Sequence, residues 1–98
     1  MEMEKQRRPL QIELGEKESE GIYSNLALIT HSPAEFIIDF ARIVPGAQKA
    51  KIYSRVITTP QHAKALLDLL EKNIKAFEDK YGAIRKAGPD DARDNIGF

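Results

Sequence analysis

The sequence predicts an α+β fold: an antiparallel meander of three to four strands followed by one long amphipathic C-terminal helix packed on one sheet face. Three observations carry that expectation. Apolar residues alternate with period two in short runs between Leu10 and Ile57, as half-buried strands require. Turn residues separate those runs at Gly15 to Gly21, Thr30 to Pro33 and Pro45-Gly46. After Thr59 the period changes to that of a helix, with apolar residues at Ala63, Leu67, Leu70, Ile74, Phe77 and Tyr81.

At 98 residues the chain is one domain, too short to enclose two independent cores. Its 42% hydrophobic and 31% charged residues are those of an ordinary globular protein. The expected limits are a flexible arm over 1–9, one α+β domain over 10–84 and a disordered tail over 85–98, where glycine, proline and charge dominate. Fifteen basic residues balance fifteen acidic ones, so no global field gathers nucleic acid, anionic lipid or acidic substrate. With no cysteine, disulfides, thiolate metal sites and cysteine nucleophiles are excluded. No apolar run approaches the length of a membrane span, and no membrane partner is expected; the cytoplasm is the default location.

The first strand expected is Leu10 to Leu14, where Leu10, Ile12 and Leu14 alternate with Gln11 and Glu13 up to Gly15. A second runs from Ile22 to Thr30. A third lies in EFIIDFARIV, with Phe36, Ile38 and Phe40 on one face. Ser32, Pro33 and Glu35 also form a helix-start signature there. The strand reading is preferred because Phe, Ile and Val dominate the segment. Pro45-Gly46 suits the centre of a type II turn, and AKIYSRVIT after it reads as a further strand. Glu35 and Asp39 then face Lys51 or Arg55, an arrangement of surface ion pairs rather than of catalytic carboxylates. Thr59 caps the helix, Pro60 occupies its first turn and Gly82 ends it.

One helix covers one face of such a sheet. The face bearing Leu26, Leu28, Phe36, Ile38, Phe40, Ile52 and Val56 is the more apolar and is expected to take it. The opposite face, with Tyr23, Ala27, Ile29, Ile37, Ala41, Ile43, Tyr53 and Ile57, is left open, with more apolar area than a monomer normally exposes. A homo-oligomer, dimer or tetramer, is therefore expected, with Tyr23, Ile29, Ile37, Ile43, Tyr53 and Ile57 as its interface or as a contact for a protein or peptide partner. The helix stripe also has the spacing of a heptad seam, over fewer than three full heptads.

Chemistry-bearing candidates are few. His31 and Ser32 in one turn, with Thr59 and His62 at the helix start, fall at one end of the meander and form a candidate anion or metal site, set against their ordinary use as turn and first-turn residues. Arg7 and Arg8, with Tyr23 and Tyr53, form the alternative of a nucleic-acid contact, although neighbouring glutamates dilute its charge. No dinucleotide, P-loop, nucleophile-elbow, zincin or calcium-loop pattern occurs, so neither enzyme activity nor a cofactor is expected.

The run HSPAEFIIDF at His31 to Phe40, the turn Pro45-Gly46 and TPQHAKALL at Thr59 to Leu67 resemble the prokaryotic family called domain of unknown function 3467. That resemblance spans Gly21 to about Ile84 and implies no activity. A looser topological similarity, sheet then helix in a self-associating protein, is to the bacterial export chaperone SecB. It implies an oligomer offering apolar grooves to extended chains.

Overall fold

Three of the four apolar alternations find a hydrogen-bonding neighbour, and these build the sheet. The computed structural model describes residues 9–86. Its elements are β1 (Leu26–His31), β2 (Phe36–Arg42), β3 (Lys51–Thr58) and the helix α1 (Pro60–Tyr81), after a short 3₁₀ turn at Glu18–Glu20. The sheet is an antiparallel meander in the order β1-β2-β3. The α+β arrangement is the one expected, with three strands of the expected three to four. The expected arm and tail lie outside the described residues, apart from Pro9, Arg85 and Lys86.

The missing strand is the first. Leu10, Ile12 and Leu14 belong to no sheet in this chain and stand 86%, 89% and 70% exposed. Alternation makes a segment suitable for pairing but does not supply the partner edge, and a strand is stabilised only across its ladder.

β1 begins four residues later than the expected Ile22, because side chains replace the ladder there. The Asn25 side-chain amide exchanges two hydrogen bonds with the Ile43 backbone, Oδ1 accepting from N–H at 2.7 Å and Nδ2 donating to the carbonyl at 3.0 Å. Ser24 Oγ donates to the Ala41 carbonyl at 2.8 Å. The polar pair thus closes the ladder end that a backbone strand would otherwise have to satisfy.

The β1–β2 connection uses the helix-start residues to make a tight turn. Ser32 N–H donates to the Glu35 carbonyl at 2.9 Å, and Ser32 Oγ accepts from the N–H groups of Ala34 and Glu35 at 3.2 Å each. This four-residue loop sets His31 opposite Phe36, and from there Ile29 opposite Ile38 and Leu28 opposite Asp39. The expected faces are corrected by that register. Ala27 and Ile29 lie on the Phe36–Ile38–Phe40 face, whereas Leu26 and Leu28 share the other with Ile37 and Ala41. A one-residue difference in pairing moves every side chain of a strand to the opposite face.

The β2–β3 register contains a second correction. Phe40 pairs with Ser54 but Ala41 pairs with Ile52, leaving Tyr53 as an extra residue in a bulge. Ile52 is thereby placed on the Ile37–Ala41 face instead of beside Phe40. In the loop before β3, Ala47 N–H donates to the Val44 carbonyl at 3.0 Å and Gly46 has φ 86°, the type II geometry that Pro45-Gly46 predicts.

Burial concentrates on β2, the strand paired on both sides. Among the described residues the buried ones are Ile38, Asp39 and Ala41, at 7%, 7% and 1% exposure. The helix starts as expected: Thr59 Oγ1 accepts from His62 N–H at 3.1 Å, and Pro60 opens the first turn. Gly82, φ 102°, ends it by donating to the Glu78 carbonyl at 2.9 Å. Its packing on the sheet is limited to the first turns, where Pro60, Ala63, Leu66, Leu67 and Leu70 border a groove with Ile29, Phe36 and Ile38. Among the described residues α1 contains no buried one.

Removing the cap tests the account of the helix start. Thr59→Ala is expected to lower unfolding stability by about 1 kcal/mol, measured by urea denaturation followed at the helical circular-dichroism band. An unchanged midpoint contradicts the role given to Thr59.

Candidate functional site

Four places hold the residues singled out by sequence, and strand register decides the membership of those on the sheet. On the outer sheet face Leu26, Leu28 and Thr30 of β1, Ile37, Asp39 and Ala41 of β2, and Ile52, Arg55 and Ile57 of β3 lie together. Of the expected interface residues, this face unites Ile37 and Ile57. Ile29 belongs to the groove beneath the helix, Ile43 bonds to Asn25, and Tyr23 and Tyr53 meet elsewhere.

At the centre of the outer face is an ion pair. Arg55 Nε donates to Asp39 Oδ1 at 2.7 Å and Nη2 to Oδ2 at 2.9 Å, a bidentate fork across directly paired residues. The Asp39 side chain is 10% exposed and that of Arg55 59%. The guanidinium hydrogen bonds hold the Asp39 carboxyl below its ordinary range, against desolvation acting in the opposite direction, and the Arg55 value is raised by the same bonds. Glu35 lies in the turn and takes no part in this pair. The arrangement orders the face, spans its centre with charge and engages both oxygens of the Asp39 carboxylate.

The two tyrosines meet over Arg42, at the end of the sheet away from the helix start. The Arg42 guanidinium lies 4.7 Å from the Tyr53 ring centroid and 5.7 Å from that of Tyr23, and Lys51 Nζ is 5.2 Å from Tyr53. Arg42 Nε is buried without a hydrogen-bond partner. Sequence reading paired the tyrosines with Arg7 and Arg8, which lie outside the described residues. Arg42 was missed because its neighbours are set by the Tyr53 bulge and not by spacing.

At the opposite end, His31 and Thr59 come to the same end of the sheet, beside its two outer strands, with the hydroxyls of Ser32 and Thr59 already engaged. The His31 ring stacks on Phe36 with centroids 5.4 Å apart. Ser32 Oγ serves the turn, and Thr59 Oγ1 takes the backbone N–H of His62. Among the described residues no group of three or more His, Asp or Glu side chains is placed to hold a metal.

The fourth place is the helix. From Leu67 onward its stripe is open, from 39% exposure at Ile74 to 66% at Tyr81, with Leu67 and Leu70 at 54% and 55%; Ala63 is half-buried. Phe77 and Tyr81 touch each other, ring centroids 4.9 Å apart. Ile74, Phe77 and Tyr81 lie beyond the groove that the sheet forms with the first turns.

Fold and surfaces define a small α+β protein in which a meander presents an amphipathic helix. The chain belongs to the family described as "Protein of unknown function (DUF3467)", which it matches over residues 1–86. The match takes in the residues before Gly21 as well as the segment that carries the resemblance. Comparison with curated proteins and with solved structures gave no match. The likeness to SecB is not shown by these comparisons. No helix among the described residues is long and apolar enough to cross a membrane.

The Asp39–Arg55 pair has a pH signature. A carboxyl whose value is depressed by folding contributes stability above its unfolded value, near 3.9, and loses that contribution as pH falls through the lower folded value. The denaturation midpoint of the unaltered protein minus that of Asp39→Asn is expected to be constant above pH 5 and to shrink below about pH 4. A difference that persists unchanged to pH 2 contradicts the ion pair as its source.

Proposed function

We propose that this protein is a non-enzymatic, self-associating interaction module whose helix is covered by a second copy of the same chain. The observation that carries the reading is the 22-residue helix with an apolar stripe and no buried residue. An isolated helix gains little from propensity alone; amphipathic helices in proteins are held mainly by burial of the apolar face. Each fully buried Leu, Ile or Phe side chain contributes about 1.5–3 kcal/mol, and this stripe forgoes most of that in a single chain. With two buried apolar residues among those described, the sheet alone is a small source of stability. A second copy supplies the missing apolar surface without requiring any other partner.

This reading moves the subunit contact from the outer sheet face to the helix. The outer face, crossed by the Asp39–Arg55 fork and flanked by Leu28, Ile37 and Ile57, is then what the assembly offers to other proteins. An adaptor or chaperone-like role, taking an extended apolar segment, follows from that division. The Ser32 and Thr59 hydroxyls, each accepting from backbone N–H, and the engaged Asp39 support a module that binds rather than reacts.

The test is absolute molar mass by size exclusion with light scattering, on untagged protein over a wide concentration range. The unaltered chain is expected at twice its single-chain mass. Ile74→Asp, in the stripe, is expected to reduce it to one, whereas Ile37→Asp, on the outer face, leaves it doubled. A single-chain mass for the unaltered protein at every concentration overturns self-association.

A second reading has one observation in its favour. Tyr23 and Tyr53 are brought together with Arg42 and Lys51, a stacking and cationic cluster of the kind single-stranded nucleic acid uses. It predicts a mobility shift with single-stranded probes at low salt that weakens steeply as salt is added. No shift at low salt removes it.

A further inference from the structure

We infer that the two copies pair through antiparallel helices, so that Phe77 and Tyr81 of each enter the groove of the other. The inference rests on the proposed self-association and adds its geometry, drawn from the stripe, the charges beside it and the extent of the groove.

The stripe follows the alternating four-three spacing of a heptad seam: Ala63, Leu67, Leu70, Ile74, Phe77 and Tyr81. Two such helices in antiparallel contact, related by a twofold axis near Lys72, match in complete layers. Leu70 of one meets Ile74 of the other, Leu67 meets Phe77, and Ala63 meets Tyr81. The small residue is thus opposed by the largest, which fills layers evenly. Such a contact is isologous and closes at two copies.

The flanking charges separate the two orientations. On one flank of the seam stand Lys64, Glu71 and Glu78; on the other, Leu66, Asn73 and Lys80. Antiparallel pairing sets like flanks together, so Lys64 of each copy lies across from Glu78 of the other, twice by symmetry. Glu71 meets its own copy at the axis, the one unfavourable contact. Parallel pairing sets opposite flanks together, joining Leu66 to Glu71 and Asn73 to Glu78, and forms no opposite-charge pair within the helix. Complementary charges beside a seam select orientation more than they add affinity.

The groove gives an independent reason. It is bounded by Ile29, Phe36 and Ile38 of the sheet and by Ala63, Lys64, Leu66, Leu67 and Leu70 of the helix, so it accompanies the N-terminal half of α1 alone. Ile74, Phe77 and Tyr81 project past it. In the antiparallel pair the C-terminal half of each helix runs along the N-terminal half of its neighbour, carrying Phe77 and Tyr81 to the open groove. In a parallel pair both grooves lie at one end and both aromatic pairs at the other, and neither groove is filled by them.

The chain has no cysteine, so single cysteines report the pairing without background. Glu71 and Lys64 occupy the same heptad position and are both exposed. Purified Glu71→Cys and Lys64→Cys proteins are treated with a short bifunctional maleimide and separated on a denaturing gel, their molar mass checked beforehand. Antiparallel pairing places residue 71 beside its own copy but separates the two residues 64 by about 21 Å, the rise of fourteen helical residues. Glu71→Cys is expected to crosslink in high yield, Lys64→Cys not with itself, and Lys64→Cys mixed with Glu78→Cys again in high yield. Equal yields for Glu71→Cys and Lys64→Cys, or no crosslink in any of the three, in protein that remains double in mass, overturns the antiparallel arrangement while leaving self-association standing. A single-chain mass for the variants and the unaltered protein alike overturns both.

Discussion

Pairing of β2 on both of its edges is the constraint on which the rest of the structure depends. The Ser32 turn fixes β1 against it, and the Tyr53 bulge adjusts β3 against it. Those two registers decide which residues share a face: Asp39 opposite Arg55 on the outside, Phe36 and Ile38 beside Ile29 on the inside. They also decide where the helix begins, since Thr58 is held opposite Phe36 and the Thr59 cap follows at once. The groove exists because a helix starting at that corner crosses one end of the inner face and then leaves it.

The departure of the helix from the sheet leaves most of its apolar stripe exposed. Ordering 22 helical residues costs conformational entropy that intrahelical hydrogen bonds offset only in part. The remainder must come from burial, and the sheet reaches only the first turns. Self-association is the proposal that uses the residues already present, and antiparallel pairing is the form that uses the groove as well as the stripe. In that arrangement the outer faces stay apart and available, so assembly and partner binding occupy different surfaces of one small domain.

Much of this architecture is legible in the sequence because local signals and global fold agree. Thr59, Pro60 and Gly82 mark the helix by capping chemistry that requires no tertiary partner, and Pro45-Gly46 marks its turn through fixed dihedrals. Period two identified the three strands. The faces were less legible, because their assignment depends on loop geometry and on a bulge. Neither the four-residue closure at Ser32 nor the extra Tyr53 has a signature in composition, and each reverses the side to which neighbouring residues point. The strand expected at Leu10 to Leu14 shows the complementary limit: alternation states what a segment is suited to, while pairing depends on an available edge. Of the candidate site residues, the His31 and Thr59 neighbourhood was placed by topology, but the groove and the Arg42 cluster arise from contacts that no spacing reveals.

The central claim is that the fold is completed by a second copy, and linkage between folding and association tests it most directly. If two chains fold and associate together, the denaturation midpoint must rise with protein concentration, each tenfold increase adding about 1.4 kcal/mol to the apparent stability of the dimer. Equilibrium urea unfolding, followed by circular dichroism across a hundredfold range of concentration, is predicted to show that rise, with the helical signal lost in the same transition. A midpoint independent of concentration, in a protein that unfolds completely and reversibly, contradicts the account and shows that one chain holds its helix alone.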